Sequence, residues 1–352
     1  MKLQSVVVIG LMSGTSLDGL DLVCVKFDKE TYGNFGILHT ETVAYSEVWK
    51  QRLQEAITLS KEELEKLDTD YAVLLAELSN DFIKKNKIPS VDFISSHGHT
   101  VFHKPAQGIT LQVGNGQVLA AQTKQKVVCD FRTQDVMLGG QGAPLVPIGD
   151  ELLFAEYDSC LNLGGFANIS FKKKEQRIAF DICPVNIVLN HYVNTLGLEY
   201  DDKGIIASEG ALNDDLLDQL NALDFYKKEA PKSLGLEWVQ SEIIPLIDSF
   251  ALDVPAILRT FVEHVAMQIA NSINDRKNVL VTGGGVFNCF LLDRIREHSS
   301  TEIVQPTPEI VNFKEALIFA FLGLLRSDNQ VNCLQSVTGA KRDHSSGVIF
   351  YP

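Results

Sequence analysis

At 352 residues the chain is about twice the length of a typical domain, so two domains with a cleft between them are expected. Its content of 45% hydrophobic and 22% charged residues is that of a chain able to bury a full core, which excludes a disordered or low-complexity protein. A formal net charge of −14 argues against DNA or RNA as a partner, because binding a phosphate backbone draws on clustered Lys and Arg.

The first predicted element is a β-branched strand at residues 5–10, followed by the turn Gly10-Leu-Met-Ser-Gly-Thr-Ser-Leu-Asp-Gly-Leu-Asp21 and a second strand at 20–27. From 46 to 87 the chain is amphipathic: Leu64, Leu67, Tyr71, Leu74, Leu75, Leu78 and Phe82 recur at helical spacing, which predicts a helix pair ending near Pro89. A short strand at 92–95 feeds a loop bearing His97, His99 and His103. A strand at 126–129 follows, then Leu138-Gly-Gly-Gln-Gly-Ala-Pro-Leu-Val-Pro147, dense in Gly and Pro, and a helix from Pro147. Residues 158–172 repeat the opening design of strand, glycine turn and strand, with Lys172-Lys173-Lys174 as a solvated hairpin tip. A helix at 250–273, a strand at 279–285 that ends in three glycines, and a helix at 288–298 complete the pattern.

Alternating strands and helices make the class α/β. The two like hairpins suggest duplicated halves facing one another across a cleft. The first domain is expected over 1–125, with 310–352 packing back onto it, and the second over 126–309.

Glycines after a buried strand let backbone N–H groups converge and let a ligand approach without Cβ interference, a surface suited to phosphate. Ser13, Thr15 and Ser16 add hydroxyls there. Asp18 and Asp21 would repel phosphate unless a cation lay between, a conflict that magnesium with a nucleotide resolves. Taken singly, such a turn also reads as ordinary hairpin chemistry. The echo at Gly164-Gly165 and the third turn at Gly283 favour the ligand. Neither the P-loop nor the dinucleotide glycine pattern is present, so an actin-like ATPase or sugar-kinase architecture fits best.

Six cysteines without a C-x-x-C spacing read as reduced thiols. The apolar start at 6–12 is too short for a signal peptide, and the longest apolar run, 316–325, falls below the ~20 residues needed to span a bilayer. A cytoplasmic protein is expected.

The stretch Met12-Ser-Gly-Thr-Ser-Leu-Asp-Gly-Leu-Asp21 resembles the signature of the anhydro-N-acetylmuramic acid kinases. Further stretches match in that family's order: His97-Gly-His-Thr-Val-Phe-His-Lys-Pro105, Leu111-Gln-Val-Gly114, Asp130-Phe-Arg-Thr-Gln-Asp135 and the run from Leu138 to Pro147. The second half adds Asn162-Leu-Gly-Gly-Phe-Ala-Asn-Ile-Ser170, Pro231-Lys-Ser-Leu-Gly235, Gly283-Gly-Gly-Val-Phe-Asn288 and Ser336-Val-Thr-Gly-Ala340.

The resemblance implies a homodimeric kinase of peptidoglycan recycling. Such an enzyme uses ATP and water to open the 1,6-anhydro ring of anhydro-N-acetylmuramic acid while phosphorylating O6, giving N-acetylmuramic acid 6-phosphate and ADP. It implies nucleotide contacts at Gly14, Thr15, Ser16, Leu17, Asp18, Gly19, Leu20, Asp21, Gly164, Gly165, Asn168, Gly283, Gly284 and Gly285, with Asp18 on Mg2+. Asp181 stands where the family places its catalytic base; Glu315, read as opening a helix, would hold the water or a sugar hydroxyl. The wall at His97 and Thr100 would face the sugar, and Arg132 its lactyl carboxylate. An H-x-H metal site at His97 and His99 is set aside because no nearby Cys or carboxylate completes it.

Two departures stand out. Asp181-Ile-Cys-Pro-Val-Asn186 replaces the commoner Asp-Thr-Gly-Pro-Gly-Asn, and His99 stands where glutamine is more usual. An ATP-binding regulator without turnover, and a kinase for a different sugar, are the alternative readings.

Overall fold

The β-branched opening residues form strand β1, Ser5–Ser13, which turns into β2, Gly19–Asp28, and β3, Phe35–Ala44, each antiparallel to the one before. These coordinates are a computed structural model that describes residues 5–14 and 16–352. Among these residues β4, Phe93–Ser96, lies parallel to β1 with Ile94 opposite Ile9. Beyond β4 the chain forms a separate hairpin of β5, His99–Lys104, and β6, Ile109–Val113. Then β7, Val127–Cys129, adds parallel to β4, and the late strand Val348–Phe350 adds antiparallel to β7.

Alternation along β1 sorts its side chains onto two faces. Ile9 and Leu11 join Leu67, Tyr71, Leu75 and Phe82 of the helix Lys61–Lys85, whose start is fixed by a capping box between Ser60 and Glu63. Gly10 looks the other way, against the helix Pro308–Ser327, where any Cβ would collide with the carbonyl oxygen of Ala316. That helix is apolar all round from Ala316 to Leu325, and nearly every side chain in the run is buried.

By compactness the chain divides into two units, one of residues up to Ala155 with Phe313–Pro352, the other Glu156–Asn312. In the second, β8, Ser159–Leu163, β9, Phe166–Lys173, and β10, Gln176–Pro184, are antiparallel, while β11, Asn278–Thr282, and β12, Glu302–Val304, extend the sheet parallel to β8. The order β10-β9-β8-β11-β12 repeats β3-β2-β1-β4-β7 of the first sheet, so one design occurs twice. Its core is built on the helix Val254–Ile273, capped by Asp253 and contributing Leu258, Phe261, Val262, Val265 and Ile269.

The class is therefore α/β with mixed sheets. Among the described residues no helix is long and apolar enough to cross a membrane.

Candidate functional site

The first glycine turn links β1 to β2, and Thr15 within it lies outside the described residues. Ser16 and Asp18 are exposed, and Leu17 takes a left-handed φ of 61°. Gly19 is demanded by the sheet, since a Cβ would run into the Val43 carbonyl, and Leu20 points into the core. Gly14 is different. A Cβ there would meet no described atom closer than Ser16 Oγ at 3.5 Å, so nothing in the fold calls for glycine.

Asp21 accepts a 2.6 Å hydrogen bond from the Thr42 hydroxyl, yet burial, with the Asp18 charge adding, raises its carboxyl above the ordinary range. Ser16 and Asp18 in the turn and Asp21 at the start of β2 offer oxygen donors, the type magnesium takes. Behind the turn runs a buried chain of hydroxyls: Tyr71 lies 2.6 Å from Tyr45, which donates to Ser13 at 2.8 Å, and Ser13 lies 2.9 Å from Nδ1 of His99. Burial lowers His99 to about 4, so the ring is neutral and shares one proton with Ser13 across this contact.

His97 follows the same logic. Its Nδ1 lies 2.9 Å from the Gly98 carbonyl and must donate, which leaves Nε2 to accept from Arg132 Nη2 at 2.9 Å and Nε at 3.1 Å. Burial first, then the Arg132 charge, lowers His97 to about 3. Arg132 Nη1 donates to the Gly142 carbonyl at 2.7 Å, so a neutral imidazole and a backbone oxygen lock the guanidinium plane.

Glu315 keeps solvent-exposed surface but is crowded by protein. That crowding raises its carboxyl, with Arg132 acting against the shift. It lies two turns inside its helix, which starts at Pro308, so the expectation that Glu315 opens the helix is corrected: Pro308 supplies the start, and no helix-terminal field acts on Glu315. Thr100 sits on β5, its hydroxyl 3.3 Å from Gln112 Nε2, while Gln112 Oε1 is buried and unpartnered.

In the second unit, Gly164 and Gly165 turn β8 into β9. Gly165 is exposed with only Ile187 Cβ near, at 3.8 Å, and Asn168 is exposed on β9. At the end of β11, Gly283 has a φ of 84° and packs on Asn162 and Leu163, and Gly285 also abuts Leu163. Gly284 between them is exposed, with nothing nearer than Asn186 Nδ2 at 3.9 Å.

Asp181 lies at a bulge of β10, opposite Asn168. Its N–H donates to the Lys232 carbonyl at 3.0 Å, and its Oδ2 accepts from the Leu234 N–H at 2.8 Å. Oδ1 accepts no bond from the described residues. Burial raises the carboxyl above the ordinary range, with the Leu234 bond acting the other way. The departure at 182–185 is absorbed without disturbing it: Ile182, Cys183 and Val185 point into the core, and the N–H groups of Val185, Asn186 and Ile187 bond to the carbonyls of Gly164 and Gly165.

Sequence reasoning missed what holds Asp181. Lys232 and Leu234 belong to the Pro231–Gly235 stretch, whose only signal was its place among the matched motifs. It likewise missed Ser13, Tyr45 and Tyr71 as a relay to His99, because their pairing is long-range.

The family model described as anhydro-N-acetylmuramic acid kinase matches residues 6–352. The chain is 34% identical to the anhydro-N-acetylmuramic acid kinase of Haemophilus influenzae, with 97% of each chain covered. With that of Mannheimia succiniciproducens it shares 33% identity, over 97% of this chain and 98% of the relative. Among solved structures, a ligand-bound xylulose kinase from Lactobacillus acidophilus is similar at a TM-score of 0.46 and 13% identity, over 98% of this chain and 94% of that one.

Proposed function

Because the chain belongs to the anhydro-N-acetylmuramic acid kinase family, we propose that it is an ATP-dependent kinase of peptidoglycan recycling. In this reading it opens the 1,6-anhydro ring of anhydro-N-acetylmuramic acid with water and phosphorylates O6, giving N-acetylmuramic acid 6-phosphate and ADP.

The observation that carries the reading is the setting of Asp181. A carboxylate fixed at one oxygen by a backbone N–H, unbonded at the other and raised by burial, is a poised general base. Asp181 takes a proton from the water that attacks C1; the C1–O6 bond breaks, and O6 becomes the nucleophile for the phosphoryl group. Arg132, held flat by His97 and Gly142, directs its remaining N–H groups to the lactyl carboxylate. Glu315 accepts from a sugar hydroxyl or the water, and Thr100 with His97 lines the sugar side.

Bound as its magnesium salt, ATP supplies the phosphoryl group and the cation that neutralises its charge. Gly14, Ser16, Leu17, Asp18 and Asp21 are its contacts in the first unit, with Asp18 toward the metal, while the expected contacts at Gly19 and Leu20 are withdrawn because both are buried, Gly19 against Val43 and Leu20 in the core. Gly164, Gly165, Asn168 and Gly283, Gly284, Gly285 are its contacts in the second. Gly14, Gly165 and Gly284, which packing leaves open, support this assignment. The reading extends to a cytoplasmic homodimer, and six cysteines without a C-x-x-C spacing fit a reducing compartment.

Asp181→Asn is expected to lower kcat by about 10²–10⁴-fold. It should also abolish an acid limb in kcat/KM that lies above the ordinary carboxylate range, since the shift is upward. Unchanged turnover removes the base assignment. Product made in heavy-oxygen water carries the label at C1; phosphorylation without it removes the hydrolytic step.

A further inference from the structure

Away from the residues given roles above, three buried side chains meet around the helix Thr133–Met137: Asp135, Cys333 and His344, which are 0%, 2% and 6% exposed. A carboxylate oxygen, the thiol sulfur and an imidazole nitrogen lie within 4.8 Å of one another. Cys333 and His344 are a directly opposed antiparallel pair, each N–H donating to the other's carbonyl at 3.1 Å, so both side chains leave the same face of that bridge.

The imidazole identifies what is missing from a closed hydrogen-bond account. His344 Nδ1 lies 3.1 Å from the Arg342 carbonyl, to which it can only donate. In the neutral ring Nε2 then carries a lone pair, and it is buried without a partner. It faces Asp135 Oδ1 at 3.5 Å, an acceptor facing an acceptor. Were the ring an imidazolium paired with Asp135, a charge-assisted bond of about 2.7–2.9 Å would be expected. The observed spacing instead matches two ligands of one tetrahedral ion, which at bond lengths near 2.0–2.1 Å sit about 3.4 Å apart.

The surroundings have the pattern that supports metal ligands. Nδ1 of His344 is tied to a carbonyl, which fixes the tautomer. Asp135 Oδ1 accepts from the Thr338 hydroxyl at 2.7 Å, and Oδ2 accepts from the Gly142 N–H at 2.7 Å. Sulfur, nitrogen and oxygen donors together select zinc among the common divalent ions.

We propose that Asp135, Cys333 and His344 bind a single zinc ion that clamps the segment 333–344 to the helix after Arg132. Gly142 joins the two sites: its N–H donates to Asp135, and its carbonyl accepts from Arg132. Cysteine binds zinc as the thiolate, so metal uptake releases the Cys333 proton. The clamp is tested without the kinase chemistry.

The full chain, stripped by a chelator, is titrated with Co2+ alone and followed by its absorption. The expected result is about one ion per chain, with the visible bands of a tetrahedral site and a thiolate-to-cobalt charge-transfer band, and competition by Zn2+. Cys333→Ser loses the charge-transfer band. His344→Gln binds more weakly by at least the 10–100-fold that a merely supporting group costs. No uptake by the wild-type chain, uptake without the thiolate band, or equal spectra for wild type and Cys333→Ser would each overturn the proposal. Because the wild-type spectrum decides by itself, a variant that fails to fold does not shield it.

Discussion

Alanine at two glycines only four residues apart separates ligand chemistry from packing. At Gly10 the new methyl would strike the Ala316 carbonyl and lie 2.9 Å from Ala320 Cβ and 3.0 Å from Val23 Cγ1, with a buried helix on one side and the sheet on the other. Neither can retreat, so Gly10→Ala is expected to cost about 3 kcal/mol, the upper end for overpacking. At Gly14 the nearest described atom is 3.5 Å away and φ is not left-handed, so the folded state accepts the methyl. Restricting the unfolded chain even adds about 0.4–1 kcal/mol of stability.

On the proposed reading, the same methyl stands where the nucleotide phosphates approach the backbone. Gly14→Ala should therefore raise the KM for ATP by at least about tenfold, equivalent to about 1.4 kcal/mol. Urea unfolding gives the first quantity and initial rates at varied ATP the second. A Gly14→Ala protein as unstable as Gly10→Ala would make the turn structural. An unchanged ATP KM would remove the phosphate from it.

His97 and His264 are held at about 3, and His99 at about 4, chiefly by burial. Their folded values lie below the unfolded value near 6.5, so the stability they contribute is complete above that pH and is lost as pH falls toward the folded values. Between pH 6 and 5 each should remove roughly 1.4 kcal/mol per pH unit. Urea midpoints at several pH values check this, and His264→Gln should flatten the slope by that one residue's contribution relative to wild type. Glu263, buried on the helix Val254–Ile273, accepts from Arg259 at 2.6 Å, Arg294 at 2.8 and 2.9 Å, and His298 at 2.5 Å. Burial opposes its charge, but these partners prevail and hold it at about 2. Glu263→Ala strands the guanidinium groups of Arg259 and Arg294 and should cost about 3 kcal/mol by urea unfolding; a loss under 1 kcal/mol would show the cluster to be incidental.

Much of this protein was legible from the residues in order, because the signals are local. β-branched runs closed by glycine turns gave both hairpins, and helical spacing of Leu67, Tyr71, Leu75 and Phe82 gave the helix that covers the first sheet. Polar strands were not legible in this way: β3, with its Thr, His and Glu, drew no assignment, and the β5 residues His99 and His103 were placed in a loop, since the stability of such strands comes from their neighbours rather than from their own composition.

Asp181, Arg132 and Glu315 were recognisable as types of residue at motif positions, but their chemistry was not. Only tertiary structure decided that Leu234 holds Asp181 across 53 residues, that His97 locks Arg132 across 35, and that Asp135 meets residues about two hundred positions later. Periodicity and turn preference act over a few bonds and are written into any short window. Burial, hydrogen-bond partnership and the field at a carboxylate depend on which distant segments the closed chain brings alongside, and they exist only once it has folded.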